Sequence, residues 1–206
     1  IDGLYSAWEW RSSDVLLHVL PIFHVHGLIV AQFGALRAGA TAIWLSRFTP
    51  ESAERAIVDH NVSIMMAVPT LYHRILADRF FQKSKIGGVR LFTSGSAPLP
   101  ESVHQSFLSR YGHVILERYG MTEVGIVLSN PYFQERRAGT VGFPVSGASF
   151  KIVDVETNET LAPGNVGELW ISGPSVISGY LNRPDQNRET IVDGWLRSGD
   201  LAVLDS

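Results

Sequence analysis

The sequence predicts an α/β fold, a mostly parallel sheet layered with helices and followed by a small β-rich, distorted-barrel subdomain. Two observations carry that prediction. Up to about residue 125, short apolar runs alternate with helical segments that open on Pro or Thr-Pro and close on Gly. That is the pattern of parallel strands joined through helices that cover both faces of a sheet. Beyond Gly125 the texture changes to short apolar strands separated by Gly, Pro, Asn and Asp, as in antiparallel hairpins. The expected organisation is 1–125 for the α/β subdomain and 126–206 for the β-rich one.

Taken in order, residues 1–13 alternate polar and aromatic, with Trp8 and Trp10 spaced as on a half-buried strand or loop. Asp14 to Leu20 is apolar except for His18, which suits a strand buried on both faces, and Pro21 ends it. A loop carrying His24, His26 and Gly27 leads to a helix from Leu28 to Ala38, stopped by Gly39. Ala40 to Leu45 is a strand. Thr49-Pro50-Glu51 sets an N-cap before a proline at the first helical position, opening a helix to about His60. Ser63 to Val68 is the next strand, and Pro69-Thr70 opens a helix carrying Tyr72, His73 and Arg74. Val89 to Thr93 runs into Ser94-Gly95-Ser96-Ala97-Pro98. Leu99-Pro100-Glu101 then starts a helix that continues to Tyr111 and stops at Gly112, before a short strand from Val114 to Leu116. In the second part, strands are expected at Phe150 to Val155, Val166 to Ser172 and Trp195 to Leu204.

Composition narrows the function. The 206 residues are 45% hydrophobic and 18% charged, enough to bury a core. Seventeen basic against twenty acidic residues give −3, with no dense run of either sign, so nothing calls for a nucleic-acid partner or an anionic membrane. The absence of cysteine excludes disulfides and thiolate zinc sites. The most apolar region, Gly27 to Leu45, is broken by Gln32 and Arg37 and reads as helix, turn and strand, so no membrane span is expected. The chain starts at Ile1 without Met or signal peptide and reads as a segment of something longer. Oligomeric state is left open.

The densest chemistry lies in Arg118-Tyr119-Gly120-Met121-Thr122-Glu123, placed where a strand should end. An aromatic face can stack on a base, a Thr hydroxyl can bond a phosphate oxygen and a Glu can hold Mg²⁺. A polar loop with its Tyr over the core is the plainer alternative. Ser94 to Pro98 reads equally as an anion-receiving turn before a helix or as an ordinary βα connection. His24 and His26 are two apart and share a face on extended backbone, but no third ligand accompanies them. His24 fits better as a polar group at a pocket mouth. Arg74 and Arg118 each flank a strand end, and together they would grip a carboxylate bidentately; a surface salt bridge is the commoner fate of either. Asp200, after Ser198-Gly199, is either a ribose-diol acceptor or a turn residue.

Several motifs follow one another: Leu20-Pro21-Ile22-Phe23-His24, Ser94-Gly95-Ser96-Ala97-Pro98, Tyr119-Gly120-Met121-Thr122-Glu123 and Gly139-Thr140-Val141-Gly142-Phe143-Pro144. Gly167-Glu168-Leu169 with Gly179-Tyr180-Leu181-Asn182 and Arg197-Ser198-Gly199-Asp200-Leu201 complete the series. In this order they resemble the acyl-adenylate-forming (AMP-binding) superfamily, which includes acyl-CoA synthetases, luciferases and peptide-synthetase adenylation domains. The resemblance covers about residues 14–204. Three longer stretches, Pro21 to Gly27, Val68 to Arg74 and Glu117 to Glu123, are similar to malonyl-CoA and methylmalonyl-CoA synthetases.

The resemblance implies an ATP- and Mg²⁺-dependent acid–CoA ligase acting through an acyl-AMP, with coenzyme A as co-substrate and a small carboxylate as substrate. Ser94, Gly95, Ser96 and Ala97, with Glu117, Arg118, Tyr119, Gly120, Met121 and Thr122, would line the nucleotide, with Tyr119 on the adenine. Thr122 would bind phosphate, Glu123 the metal and Asp200 the ribose. Thr122, Glu123 and His24 would be the catalytic set, His24 gating the acyl pocket. Arg74, Ser96 and Arg118 would hold the second carboxylate of malonate. Another carboxylic acid, or a non-catalytic nucleotide-binding remnant, stands as the alternative. The family's phosphate loop and mobile C-terminal domain are not in these 206 residues, so the segment alone is expected to be inactive. The implied location is the cytoplasm or the mitochondrial matrix.

Overall fold

Four-residue apolar runs set the first strands: β1 (Val15–His18), β2 (Thr41–Trp44), β3 (Ile64–Ala67) and β4 (Leu91–Ser94). In the computed structural model, which describes residues 1–145 and 147–205, they join β5 (Leu116–Met121), β6 (Gly125–Ser129) and β7 (Phe143–Pro144) in one seven-stranded sheet. The order is β2-β1-β3-β4-β5-β6-β7. The first five strands pair in parallel and the last two are antiparallel additions.

Successive residues of a strand feed opposite cores. Leu17, Met65, Ala67 and Phe92 pack on one face with Ile57, Tyr72 and Phe107. Leu16, Ile64, Met66 and Leu91 pack on the other with Trp8, Trp10 and Val30. Helices α3 (Pro50–Asp59), α4 (Pro69–Ala77), α5 (Lys83–Ile86) and α6 (Glu101–Tyr111) make the crossovers. Thr49 caps α3 through a capping box with Ser52, and Gly112 ends α6 at φ 76°.

Three places differ from the sequence reading. Residues before β1 form a helix, α1 (Asp2–Ala7), where a strand or loop was expected; the spacing of Trp8 and Trp10 reflects two buried anchors after it. Trp8 Nε1 donates to Ser129 Oγ at 2.9 Å. The expected helix from Leu28 begins earlier, as a π-helix (His26–Gln32) that continues into α2 (Phe33–Ala38) and ends at Gly39 in the left-handed region. The third difference concerns β5, which runs through Met121, so Arg118 to Met121 lie on a strand.

The chain divides into two compact units, Ile1–Val145 and Ser146–Ser206. The texture of the sequence changes after Gly125, but β6 and β7 still belong to the first sheet, which carries the division past them. The second unit is an antiparallel sheet of order β10-β11-β9-β8, built from β8 (Ser149–Val153), β9 (Val166–Ser172), β10 (Ile191–Val192) and β11 (Trp195–Val203), with one helix, α7 (Pro184–Thr190). Among the described residues no helix is long and apolar enough to cross a membrane.

Candidate active site

In the first unit the polar chemistry collects where β4 and β5 lie side by side, with Ser94 opposite Glu117. Parallel strands deliver their following loops to the same end of the sheet, which is where such folds bind ligands. The loop after β4 is locally strained: Ser96 has φ 67°, a left-handed conformation costly for a residue with a Cβ. Its Oγ lies 3.1 Å from Nδ1 of His26. Next to it Gly95 is buried, and a Cβ there would stand 2.3 Å from Cζ and Nη1 of Arg118. Adjacent loop residues therefore touch both the histidine and the guanidinium.

Arg118 is 3% exposed, and neither Nε nor Nη2 has a hydrogen-bond partner. Burial pulls its pKa down to about 10, with Tyr72 opposing the shift. Tyr72 is itself fully buried, donates its hydroxyl to the Thr93 carbonyl at 2.7 Å and is pushed well above the usual phenol range by desolvation. It stays protonated and supplies no counter-charge. A guanidinium held this way costs several kcal/mol unless an anion joins it.

His26 is 6% exposed, and its Nε2 has no partner. Burial, then the charge of Arg118, then His18 and His24 push its pKa down to about 2, so the ring is neutral at physiological pH. The two histidines thus do not share a face: the π-helix turns His26 inward, while His24 is exposed with its ring 4.6 Å from that of Phe23. His24 therefore sits at the surface.

The structure uses Arg74 elsewhere. It is exposed in the last turn of α4, donates Nη2 to the Phe48 carbonyl at 2.9 Å and lies over the Phe48 ring. Of the two arginines expected at the substrate carboxylate, Arg118 is buried and Arg74 is at the surface.

Glu117 is buried, and Oε1 accepts the Leu99 amide at 3.0 Å while its backbone carbonyl takes the Asn130 amide and Nδ2. Burial raises its pKa against the pull of the Leu99 and Gly139 amides. Its place is beneath the loop, bracing it. Beyond Arg118, β5 turns back through Gly120, whose missing Cβ leaves room for the Gly125 carbonyl, which would lie 2.0 Å from it. Tyr119 is half-buried, with its hydroxyl 3.8 Å from Sδ of Met121; Thr122 is exposed at the hairpin turn and Glu123 half-buried beside it. The hairpin thus presents an aromatic ring, a hydroxyl and a carboxylate together. Ser94 Oγ is buried without a partner, and Ala97 is exposed.

In the second unit, Asp200 is exposed on a bulge of β11, where the register with β9 shifts between Arg197 and Leu201. Glu168 holds that bulge. Its Oε2 accepts Trp170 Nε1 at 2.9 Å and Arg197 Nε at 3.2 Å, and Oε1 accepts the Gly199 amide at 3.0 Å.

Residues 2–181 match the family described as AMP-binding enzyme. The chain belongs to that family. A mitochondrial malonate–CoA ligase of Mus musculus is 35% identical over 237 residues, covering 99% of this chain and 41% of the relative. The ATP-bound crystal structure of MatB from Rhodopseudomonas palustris superposes with a TM-score of 0.96 at 38% identity, over 99% of this chain and 40% of that one. A malonyl-CoA ligase in a ternary product complex with methylmalonyl-CoA and AMP gives 0.89 at 40% identity, over 99% and 44%. The chain thus spans about two-fifths of the length of these relatives. The mostly parallel sheet and the β-rich part are the fold of this family.

Metal and cofactor chemistry can be judged on the residues present. Among the described residues no group of three His, Cys, Asp or Glu could hold a metal ion by itself. Glu123 is a single carboxylate, which suits Mg²⁺ because that ion keeps waters and substrate phosphates in its shell. Sequence reasoning gave no site role to His26, Tyr72 or Glu168. Each lies inside a quoted motif, but only folding shows which one is turned inward. A separate cavity of about 710 Å³, lined by Arg90, Glu101, His104, His113, Tyr132 and Arg136, contains none of the expected site residues. Its Arg136 donates to the carbonyls of Pro131, Val114 and Tyr132 and is used up structurally.

Proposed function

We propose that the protein carrying this chain is an acid–CoA ligase that activates a short dicarboxylate, malonate or methylmalonate. One carboxylate oxygen of the acid attacks the α-phosphorus of ATP and pyrophosphate leaves; the CoA thiolate then attacks the acyl carbon of the adenylate and AMP leaves. The observation that carries the substrate is Arg118, a buried guanidinium with Nε and Nη2 unpaired, which a ligand's second carboxylate would satisfy. A pocket for an alkyl or aryl acid has no reason to bury that charge.

The remaining roles follow the chemistry of each group. Tyr119 stacks on adenine and the Gly95 to Ala97 loop borders the base. Thr122 binds phosphate, Asp200 accepts from the ribose hydroxyls and His24 closes the acyl pocket. Glu123 would hold Mg²⁺, which when bound would supply charge neutralisation at the phosphates. Ser96 acts with Arg118 at the substrate carboxylate. The names of the malonate–CoA ligase relatives support this reading, and the one named as mitochondrial is compatible with the matrix, one of the two expected locations. A ligase for a different small acid is the second reading, favoured by the engagement of Arg74 with Phe48, which leaves one guanidinium where a clamp was expected.

Pyrophosphate release by the full-length protein, with ATP and a panel of acids, tests the assignment. Strong turnover with malonate and little with acetate or fatty acids is expected. Preference for a monocarboxylate would discard the dicarboxylate and keep the adenylating chemistry.

A further inference from the structure

The unpaired polar atoms around Arg118 extend beyond the arginine itself. His26 Nε2 is buried and without a partner, as are Nε and Nη2 of Arg118. The two side chains are brought to one place by consecutive loop residues: Gly95 packs against the guanidinium and Ser96 Oγ meets His26 Nδ1 at 3.1 Å. Ser96 makes that contact from a left-handed backbone conformation, which other residues adopt only at a cost.

The hydrogen-bonding roles can be worked out from the chemistry of each atom. A hydroxyl can donate or accept, whereas a neutral imidazole has one nitrogen of each kind. If Ser96 accepts from Nδ1–H, the Nε2 lone pair is buried beside a cation and receives nothing. If Ser96 donates to Nδ1, the proton is on Nε2, and an N–H joins the unpaired N–H groups of Arg118. The second arrangement gives a set of donors that one ligand satisfies together.

We propose that the Nε2–H of His26 is a third donor, beside Nε–H and Nη2–H of Arg118, for the distal carboxylate of a short dicarboxylic substrate, with Ser96 fixing the tautomer. His26 is then a specificity-determining residue for the reaction proposed above, and the inference rests on that reading. A planar carboxylate takes two parallel hydrogen bonds from a guanidinium edge and keeps lone pairs for a further donor. An acid without the second carboxylate leaves all of these donors unpaired, a penalty that rejects it.

Two replacements of His26 separate the donor from the brace. In His26→Gln the side-chain amide nitrogen stands near the position of Nε2, so a donor to the ligand is kept while the Ser96 contact is lost. In His26→Asn the short amide meets Ser96 and the ligand donor is lost. In the full-length protein, His26→Asn is expected to lower kcat/KM for malonate by about ten- to a hundredfold, the range for a hydrogen bond to a charged group. The ratio of kcat/KM for malonate to that for acetate should fall with it, and His26→Gln should retain most of the malonate preference. Equal losses with both acids in both variants, or no loss in His26→Asn, would overturn the proposal.

A measurement on unmodified protein covers the case in which a variant does not fold. With ¹⁵N-labelled histidine, the His26 ring should be in the Nε2–H tautomer, and malonate but not acetate should shift the Nε2 resonance. An Nδ1–H tautomer, or no response to malonate, would refute the donor role. Failure of the underlying reading looks different: a protein that activates no dicarboxylate removes the substrate itself, whereas loss of malonate preference in Arg118→Ala but not in His26→Asn removes only the role of His26.

Discussion

A Cβ placed on Gly95 would lie 2.3 Å from the Cζ of Arg118. An exposed arginine would swing aside into solvent, but this side chain is 3% exposed and is hemmed in by its neighbours. Gly95→Ala is therefore expected to displace the guanidinium from the place proposed for the substrate carboxylate. In the full-length protein, KM for malonate should rise at least about tenfold, equivalent to about 1.4 kcal/mol of lost binding, while acetate turnover changes little. Steady-state kinetics with both acids decides it. Equal changes for both would show that the loop, not the arginine, carries the effect.

The same burial sets function against stability. Arg118 has two unpaired donors, so replacing it with an unbranched apolar side chain removes a desolvated charge and retains volume. Arg118→Met should leave the unfolding free energy unchanged or raise it by about 1–4 kcal/mol, as apolar replacements of buried charges do. Dicarboxylate activation should be abolished. The denaturant midpoint without substrate is the measurement, and a marked loss of stability would mean that Arg118 supports the fold.

Most of the parallel sheet was legible because its strands are continuous apolar runs and its crossover helices carry their own signals, as at Thr49-Pro50 and Gly112. The family was legible as an ordered series of short patterns. Local sequence did not disclose orientation. His24 and His26 look alike on the page, yet His26 opens a π-helix and is buried, while His24 precedes it and is exposed. Arg74 and Arg118 each flank a strand, but only β5 carries its arginine inward. The extension of β5 through Met121 depends on the approach of Gly120 to Gly125, a contact between residues whose pairing only the hairpin creates.

Away from the site, Asp14 gives the first unit a pH-dependent element. Burial alone would raise its pKa, but the Arg90 guanidinium, the Ser63 hydroxyl and the Arg11 amide outweigh it and leave the carboxyl below its ordinary 3.8. Arg90 Nε approaches Oδ1 at 2.8 Å, and other Arg90 nitrogens donate to the carbonyls of Trp8 and Glu9. A depressed carboxylate contributes stability that is present above the unfolded pKa and lost as pH falls through 3.8 and then the folded value. Asp14→Asn should therefore cost about 3 kcal/mol at pH 7 by stranding Arg90, and the penalty should shrink toward zero in acid. Urea titrations of both proteins from pH 7 down to the acid limit of folding test this. A penalty independent of pH would assign the loss to packing.

In the second unit, the display of Asp200 depends on Glu168, which accepts from Trp170, Arg197 and Gly199 across the β11 bulge. Glu168→Ala leaves the indole N–H without an acceptor and frees the loop that carries Asp200. The expected cost to stability is about 1–3 kcal/mol, discounted because Arg197 is partly exposed. If Asp200 binds the ribose, ATP should suffer more than the acid: KM for ATP should rise by about tenfold, the equivalent of about 1.4 kcal/mol, with KM for malonate nearly constant. Glu168→Gln should not restore it, since its amide NH₂ would face other donors. Restoration by Gln would mean that only size matters at position 168, and an unchanged KM for ATP would separate the bulge from nucleotide binding.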